Sequence, residues 1–179
     1  MKTAIISGCD NNYFNTYLNL YNSLIDNKCF EYADLCFVNI SVSENNIKKI
    51  SKNIKKIIEP NWDFNFKFKT NDWKKILTIR PFLKKYFPEY DTYIWLDADT
   101  WVQTHEFIND FVEVSKTGKV GIIPEYDINY EVNREKYSFN KIIFNLYKAK
   151  GWSYKNLKKY FDQKRFNKLL QKPILNAGV

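Results

Sequence analysis

Two aspartates, separated by a single alanine, follow an apolar run in the middle of the chain. The run Tyr93–Leu96 reads YIWL, and Asp97, Ala98 and Asp99 come directly after it. Alternate residues of an extended segment point to the same side, so the two carboxylates are predicted to face one way. Converging carboxylates repel each other unless a cation intervenes, and oxygen ligands suit Mg²⁺ or Mn²⁺. The pattern therefore predicts a metal site that could hold a diphosphate, although two solvated turn aspartates would have the same sequence.

The elements around these aspartates alternate between strand-like apolar runs and helical patterns. The predicted strands cover residues 2–8, 35–40, 65–69, 92–96 and 120–123. The predicted helices cover residues 13–24, 43–58, 72–87, 104–114 and, as one or two basic aromatic helices, 134–170. This alternation predicts an α/β domain with a mostly parallel sheet and helices on both faces. Ligands bind beyond the carboxyl ends of such strands, where Asp97 and Asp99 would lie.

Residues 43–58 are predicted to form an amphipathic helix. Its apolar positions are Ile47, Ile50, Ile54, Ile57 and Ile58. A helix would place these isoleucines on one face and the lysines on the other, with Ser43 as its cap and Pro60 as its end.

Basic residues concentrate in the last third of the chain. The formal net charge is +8, and residues 134–172 hold twelve Lys or Arg and two Asp or Glu, a local net of +10. Such a segment could be a solvated face, or it could bind an anionic membrane surface or nucleic acid. Nucleic acid is the least favoured partner, because only three of the 28 basic residues are Arg, which base readout favours.

The ends and the cysteines indicate a cellular setting. The apolar N-terminal stretch stops at Asp10, too short for a signal peptide, and no run is long enough for a membrane span. We expect a cytoplasmic protein, and one that could also contact the inner face of the membrane through residues 134–172.

The three cysteines form no C-x-x-C pair and are predicted to be idle thiols. The apolar end at Val179 predicts that the chain is C-terminally truncated.

Four stretches, taken in order and spacing, carry a family resemblance. They are Ile5–Tyr13, which contains a D-x-N-Y turn, Arg80, seventeen residues before Asp97, Tyr93–Thr100, and the NAGV segment Asn176–Val179. Together they resemble the nucleotide-sugar glycosyltransferases of the GT-A fold, most closely family 8. The resemblance spans nearly the whole chain but only about the front two-thirds of a typical member.

The resemblance implies a nucleotide site built from the first turn. Asp10 and Asn12 would hydrogen-bond the uracil of a UDP-sugar, Tyr13 would stack on that base, and Asp97 would lie near the ribose. These residue types suit base recognition, because an aromatic face and fixed hydrogen-bonding groups discriminate bases. Asp10 and Asn12 could instead only shape a turn, and Tyr13 could be a core residue.

The resemblance also implies the remainder of the donor site. Asp97 and Asp99 would hold Mn²⁺ or Mg²⁺ against the diphosphate, and Arg80 would contact the sugar and phosphates. Asn176 and the backbone of Ala177 would line the sugar site. Alternatively, Arg80 could be a surface residue and Asn176 could be part of a plain turn, with neither residue contacting the donor.

The implied reaction is transfer of a hexose from a UDP-sugar to a glycan or lipid-linked acceptor, with retention of configuration. Lipopolysaccharide biosynthesis is one such setting. The family's late histidine, which completes its metal site, is absent, and His105, at the start of a predicted helix, is not expected to replace it. The catalytic group is unknown.

Three other functions stay open for the sequence. A haloacid-dehalogenase-type phosphatase also has D-x-D after a strand, but its motif wants Thr or Val where this chain has Trp101. A nucleotidyltransferase would need an early Gly-rich phosphate loop, which the chain does not have. A non-catalytic module could dock on membrane or nucleic acid through 134–172, with salt dependence but no metal dependence.

Overall fold

A four-stranded parallel sheet forms the centre of the amino-terminal part. The computed structural model of the chain describes residues 1–63, 71–124 and 175–176, together with Asp162 and Lys164. Its strands are β1 (Thr3–Asp10), β2 (Asp34–Ile40), β3 (Ile54–Ile58) and β4 (Thr92–Trp95), in the order β3-β2-β1-β4. All neighbouring strands of this sheet run parallel.

Helices cover both faces of this sheet. They are α1 (Phe14–Asp26), α2 (Glu44–Ile50), α3 (Lys75–Thr78), α4 (Leu83–Tyr86) and α5 (Phe107–Lys116). One apolar cluster joins α1, α2 and α5 to one face of the sheet. A second cluster joins the segment containing α3 and α4 to the other face. The predicted arrangement, a parallel sheet with helices on both faces, is therefore confirmed.

The described residues fall into two compact units, one ending at Gly121 and one beginning at Ile122. The second unit contains an antiparallel pair, β5 (Ile123–Pro124) and β6 (Leu175–Asn176). The domain boundaries 1–179 stay a prediction. Among the described residues, none of the helices combines the length and the apolar character that a membrane span needs.

The prediction of one helix over residues 43–58 is wrong. The helix α2 ends at Ile50, the chain turns, and residues 54–58 form β3. The isoleucine spacing fits a helix, but Ile54, Ile57 and Ile58 are also β-branched residues that favour strands. Pairing with β2 decides the outcome, since β3 forms the edge of the sheet. Two lysines in β3, Lys55 and Lys56, suit an edge strand because they discourage pairing with another chain.

Other predicted elements keep their places with altered bounds. Residues 72–87 form α3 and α4 with 3₁₀ turns before each, and the second turn holds Pro81 near its start. The helix predicted from Thr104 begins at Phe107. The strand predicted over 120–123 contributes only Ile123 to β5. The predicted strand 65–69 and the predicted helices over 134–170 lie outside the described residues, apart from two isolated positions.

Gly8 permits a close approach within the sheet. A Cβ atom at this position would lie 2.5 Å from the Val38 carbonyl oxygen and 2.8 Å from Cδ1 of Ile76. Any side chain there would therefore displace β2 or the segment containing α3. The missing side chain lets Ile76 pack against the sheet, four residues before Arg80.

The three cysteines are free and buried, as predicted for idle thiols. Burial, reinforced by the neighbouring Asp10 carboxylate, raises the pKa of the Cys9 thiol to about 12. Burial likewise raises the pKa values of Cys29 and Cys36 to about 11. Because the thiolate is the reactive form, these groups are poor nucleophiles at neutral pH.

Candidate functional site

The strand order of the sheet reverses between the adjacent strands β1 and β4. From β1 the chain moves outward through β2 to β3, and it then crosses to the other side of β1 to form β4. The segment with α3 and α4, which makes that crossing, packs on one face of the sheet, whereas α1, α2 and α5 pack on the other. The loops that leave β1 and β4 begin at adjacent parallel strands, and ligands of open α/β sheets bind beyond the carboxyl ends of the strands where the strand order reverses. Sequence-predicted residues lie in both loops.

The loop after β1 is a tight turn from Asp10 to Tyr13. The Tyr13 backbone N–H lies 3.2 Å from the Asp10 carbonyl oxygen and 2.9 Å from its Oδ1. Asp10 thus shapes the turn, as one alternative proposed, and base recognition by its carboxylate stays a prediction. Tyr13 is 52% exposed, which excludes a core position for this residue. Asn12 is also exposed.

Asn11 and Asn39 brace the neighbouring loop after β2, and sequence reasoning missed both. Asn11 Oδ1 accepts hydrogen bonds from the Ser43 backbone N–H at 3.1 Å and from Asn46 Nδ2 at 3.2 Å. Asn39 Oδ1 accepts a 2.7 Å hydrogen bond from the Val42 N–H. Between them, Ser41 adopts a left-handed backbone with φ 57°. Asparagine side chains that cap nearby backbone groups are the signal that could have indicated this role.

Asp97 lies at the centre of a compact charged group after β4. Arg80 Nη2 donates a hydrogen bond to Asp97 Oδ1, forming an ion pair at 2.5 Å. Trp95 Nε1 donates to the same oxygen at 2.8 Å. The Arg80 guanidinium also lies over the Trp95 ring, 5.1 Å from its centroid. The structure therefore brings together Arg80 and Asp97, which are 17 residues apart in sequence.

Asp99 lies in a turn and not in an extended segment. β4 ends at Trp95, and the Thr100 N–H donates to the Asp97 carbonyl oxygen at 3.0 Å. The argument that alternate residues point the same way therefore fails for Asp97 and Asp99, because a hydrogen-bonded turn intervenes. Asp99 is exposed and, within the described residues, makes no hydrogen bond or ion pair. The assignment of both residues to a metal stays a prediction.

The chain after this turn is anchored to α1. The Val102 N–H donates to Ser23 Oγ at 3.1 Å, and the Val102 carbonyl oxygen accepts from Asn27 Nδ2 at 3.1 Å. His105 lies flat against Tyr32, with ring centroids 4.3 Å apart. The Asp97–Thr100 turn is thus held between a buried strand and a segment fixed to a helix.

Two carboxylates offer a donor set that suits a divalent cation. Asp97 Oδ1 already accepts two hydrogen bonds, while its Oδ2 and the Asp99 carboxylate accept none within the described residues. Carboxylate oxygens are ligands of Mg²⁺ and Mn²⁺, so these residues fit such an ion. No group of three His, Cys, Asp or Glu side chains that could hold a metal occurs in the part of the chain that the structure describes.

Of the two predicted sugar-site residues, the structure describes Asn176, which lies in the second unit. Asn176 is in β6, where it pairs with Ile123. Ala177 lies outside the described residues. Their roles stay predictions.

Comparison with known proteins identifies the family. The profile of glycosyl transferase family 8 matches residues 4–178. The chain belongs to this family. Family membership and the parallel sheet confirm the predicted GT-A-type α/β fold class, and they favour a glycosyltransferase over the phosphatase and nucleotidyltransferase alternatives.

A search of curated proteins found no match. Among solved structures, one similar chain is the galactosyltransferase LgtC in complex with donor and acceptor sugar analogs, at 14% sequence identity and a TM-score of 0.41. The similarity covers 76% of this chain and 52% of the LgtC chain. This family 8 chain therefore spans about half the length of that structure.

Proposed function

We propose that this family 8 protein transfers a hexose from a UDP-sugar to a glycan or lipid-linked acceptor, with retention of configuration. One observation carries the proposal. The turn with exposed Tyr13 and the turn with Asp97 and Asp99 follow the adjacent parallel strands β1 and β4, where the strand order of the sheet reverses. An aromatic face on one side and carboxylates on the other match the base and the diphosphate of a nucleotide sugar.

The turn after β1 would bind the nucleoside. The exposed ring of Tyr13 offers a stacking surface for uracil. Asp10 Oδ1 accepts the Tyr13 N–H, so its Oδ2 is the oxygen that would accept hydrogen bonds from the base. The exposed amide of Asn12 supplies both a donor and an acceptor.

The turn after β4 would bind the diphosphate. Asp97 and Asp99 would hold Mn²⁺ or Mg²⁺, which would supply Lewis-acid stabilisation of the charge on departing UDP. Arg80, held beside Asp97, would place a second positive charge next to the phosphates and the sugar. Asn176 and Ala177 would line the sugar.

The basic charge of the last third of the chain supports the proposed acceptor and cellular setting. An excess of basic residues over 134–172 would suit an anionic inner leaflet, and hence a lipid-linked or lipopolysaccharide acceptor handled at the cytoplasmic face of a membrane.

A thermal-shift panel tests the donor assignment. The panel contains UDP, GDP, ADP and CMP, each with and without Mn²⁺. A ligand at a hundred times its dissociation constant adds about 2.7 kcal/mol to the free energy of unfolding, or roughly 5–10 °C for a domain of this size. We expect a shift with UDP that requires Mn²⁺. An equal response to all four nucleotides, or to UDP without metal, would contradict the proposal.

A further inference from the structure

We propose that Trp95 is a positioning residue that holds Arg80 and Asp97 in the geometry needed to bind the donor diphosphate. This inference rests on the proposed function and adds a residue to it. Trp95 ends β4, is 8% exposed, and contacts both charged groups: its Nε1–H donates to Asp97 Oδ1 at 2.8 Å, and its ring lies beneath the Arg80 guanidinium.

The indole fixes which oxygen of Asp97 faces a ligand. Oδ1 accepts one hydrogen bond from Trp95 and one from Arg80, which uses both of its lone pairs. Oδ2 accepts no hydrogen bond within the described residues and is left for a cation or a ribose hydroxyl. Because indole donates and cannot accept, Trp95 orients Asp97 without competing for a cation.

The ring also restrains Arg80. A guanidinium over an indole face gains a cation–π interaction, and tryptophan is the best aromatic partner for it. Arg80 is therefore held by the Trp95 ring and by the Asp97 carboxylate. A flexible side chain that is ordered before the ligand arrives loses less entropy on binding, which favours affinity.

Trp95 can do this because the strand holds it rigidly. It pairs with Ile6 of β1, and its side chain belongs to the buried cluster that also contains Ile79, next to Arg80. Sites supported by strands keep their geometry better than sites on loops alone. The turn that follows is thereby attached to the sheet through a side chain as well as through the backbone.

The matched variants separate the indole N–H from general packing. Trp95→Phe retains a ring but removes the donor. Incorporation of benzothienylalanine at position 95 keeps the size and shape of the indole and also removes the donor. Tyr93→Phe is the control, because it is on the same strand and loses hydrogen bonds to the Phe87 and Tyr90 carbonyl oxygens at 3.0 and 2.7 Å, away from Asp97.

Calorimetric titration with UDP in the presence of Mn²⁺ gives the first readout. A hydrogen bond to a charged group is worth enough to predict an approximately tenfold weaker affinity in Trp95→Phe and in the benzothienylalanine protein. Tyr93→Phe should melt earlier than wild type but bind UDP with unchanged affinity. Wild-type affinity in the benzothienylalanine protein would overturn the proposal.

The indole ¹H–¹⁵N resonance of Trp95 gives a second readout that needs no nucleotide. Trp95→Phe identifies this peak among those of the five tryptophans. We expect Asp97→Asn to move the peak and Tyr93→Phe to leave it in place. An unmoved peak in Asp97→Asn would overturn the inference. If the wild-type protein binds no UDP while the peak does move, the proposed function fails and the Trp95–Asp97 contact stands.

Discussion

The two ends of the parallel sheet both carry charged side chains, but they use them differently. At the amino ends of the strands, Asp34 Oδ2 accepts a 2.9 Å hydrogen bond from the Tyr90 hydroxyl and lies 3.5 Å from Lys2 Nζ. The Lys2 backbone N–H donates to Asp91 at 2.8 Å, and its Nζ lies over the Tyr90 ring. Each carboxylate there has a partner within the protein, so this cluster is structural.

At the carboxyl ends of the strands, one of the two carboxylates has no partner within the described residues. Asp97 pairs with Arg80, but Asp99 is exposed and makes no hydrogen bond or ion pair within the described residues. The exposed Asp99 carboxylate, two residues from the Asp97–Arg80 ion pair, is therefore available to a ligand. Paired charges thus mark the structural end of the sheet, and the incompletely paired ones mark the candidate binding end.

The sharpest test of this comparison is Asp99→Asn. We expect it to remove the Mn²⁺-dependent part of UDP affinity, a loss of more than about a hundredfold, since even residues that only support metal ligands contribute 10–100-fold. The melting temperature should not fall, because Asp99 makes no contact that stabilises the described fold. Titration of UDP with and without Mn²⁺ measures the effect, with Asp110→Asn on the exposed face of α5 as the control. A metal-dependent UDP affinity equal to that of wild type would remove Asp99 from the site.

Tyr13→Ala should have the next largest effect. Stacking of a base on an aromatic side chain contributes about 1–3 kcal/mol, so UDP affinity should fall roughly 10- to 100-fold. Because Tyr13 is 52% exposed, the fold should be retained. Phe30→Ala removes a similarly exposed aromatic near the amino end of β2 and should leave UDP affinity unchanged. Equal affinity losses in the two variants would contradict a stacking role.

Tyr90→Phe should give the smallest change in binding and a measurable change in stability. It removes the hydroxyl that bonds Asp34, so the free energy of unfolding should fall by about 1.5–3 kcal/mol. Urea denaturation measures this loss, and calorimetry should find UDP affinity within error of wild type. A weakened UDP affinity would show that the amino end of the sheet takes part in binding, against the contrast drawn between the two ends.

The pattern of elements was predictable because it depends on local periodicity. β1, α1, β2 and β4 lie close to their predicted bounds. Residues 43–58 were mispredicted because isoleucines at helical spacing also satisfy a turn followed by an edge strand, and pairing with β2 is a tertiary effect. Local spacing cannot distinguish these two outcomes.

The residues of the candidate site stay predictions, and the structure adds geometry that the sequence did not predict. Arg80 and Asp97 have the spacing of the family pattern, and the ion pair between them, which the sequence did not predict, is a finding of the structure. The orientation of Asp99 was not predictable, because the hydrogen-bonded turn from Asp97 to Thr100 replaces an extended strand. The contacts of Asn11 and Trp95 were missed because they are made with other loops and side chains.

Gly8 shows that a substitution can inactivate this protein without touching the proposed binding site. Its position tolerates no Cβ because the Val38 carbonyl oxygen would lie 2.5 Å away, yet it supplies no group to the proposed chemistry. In a saturation mutagenesis screen, Gly8 and Asp99 would both score as essential, the first through abundance of folded protein and the second through activity per folded molecule. Counting inactive variants alone would place a packing residue in the active site, whereas measuring the amount of folded protein alongside activity would separate the two.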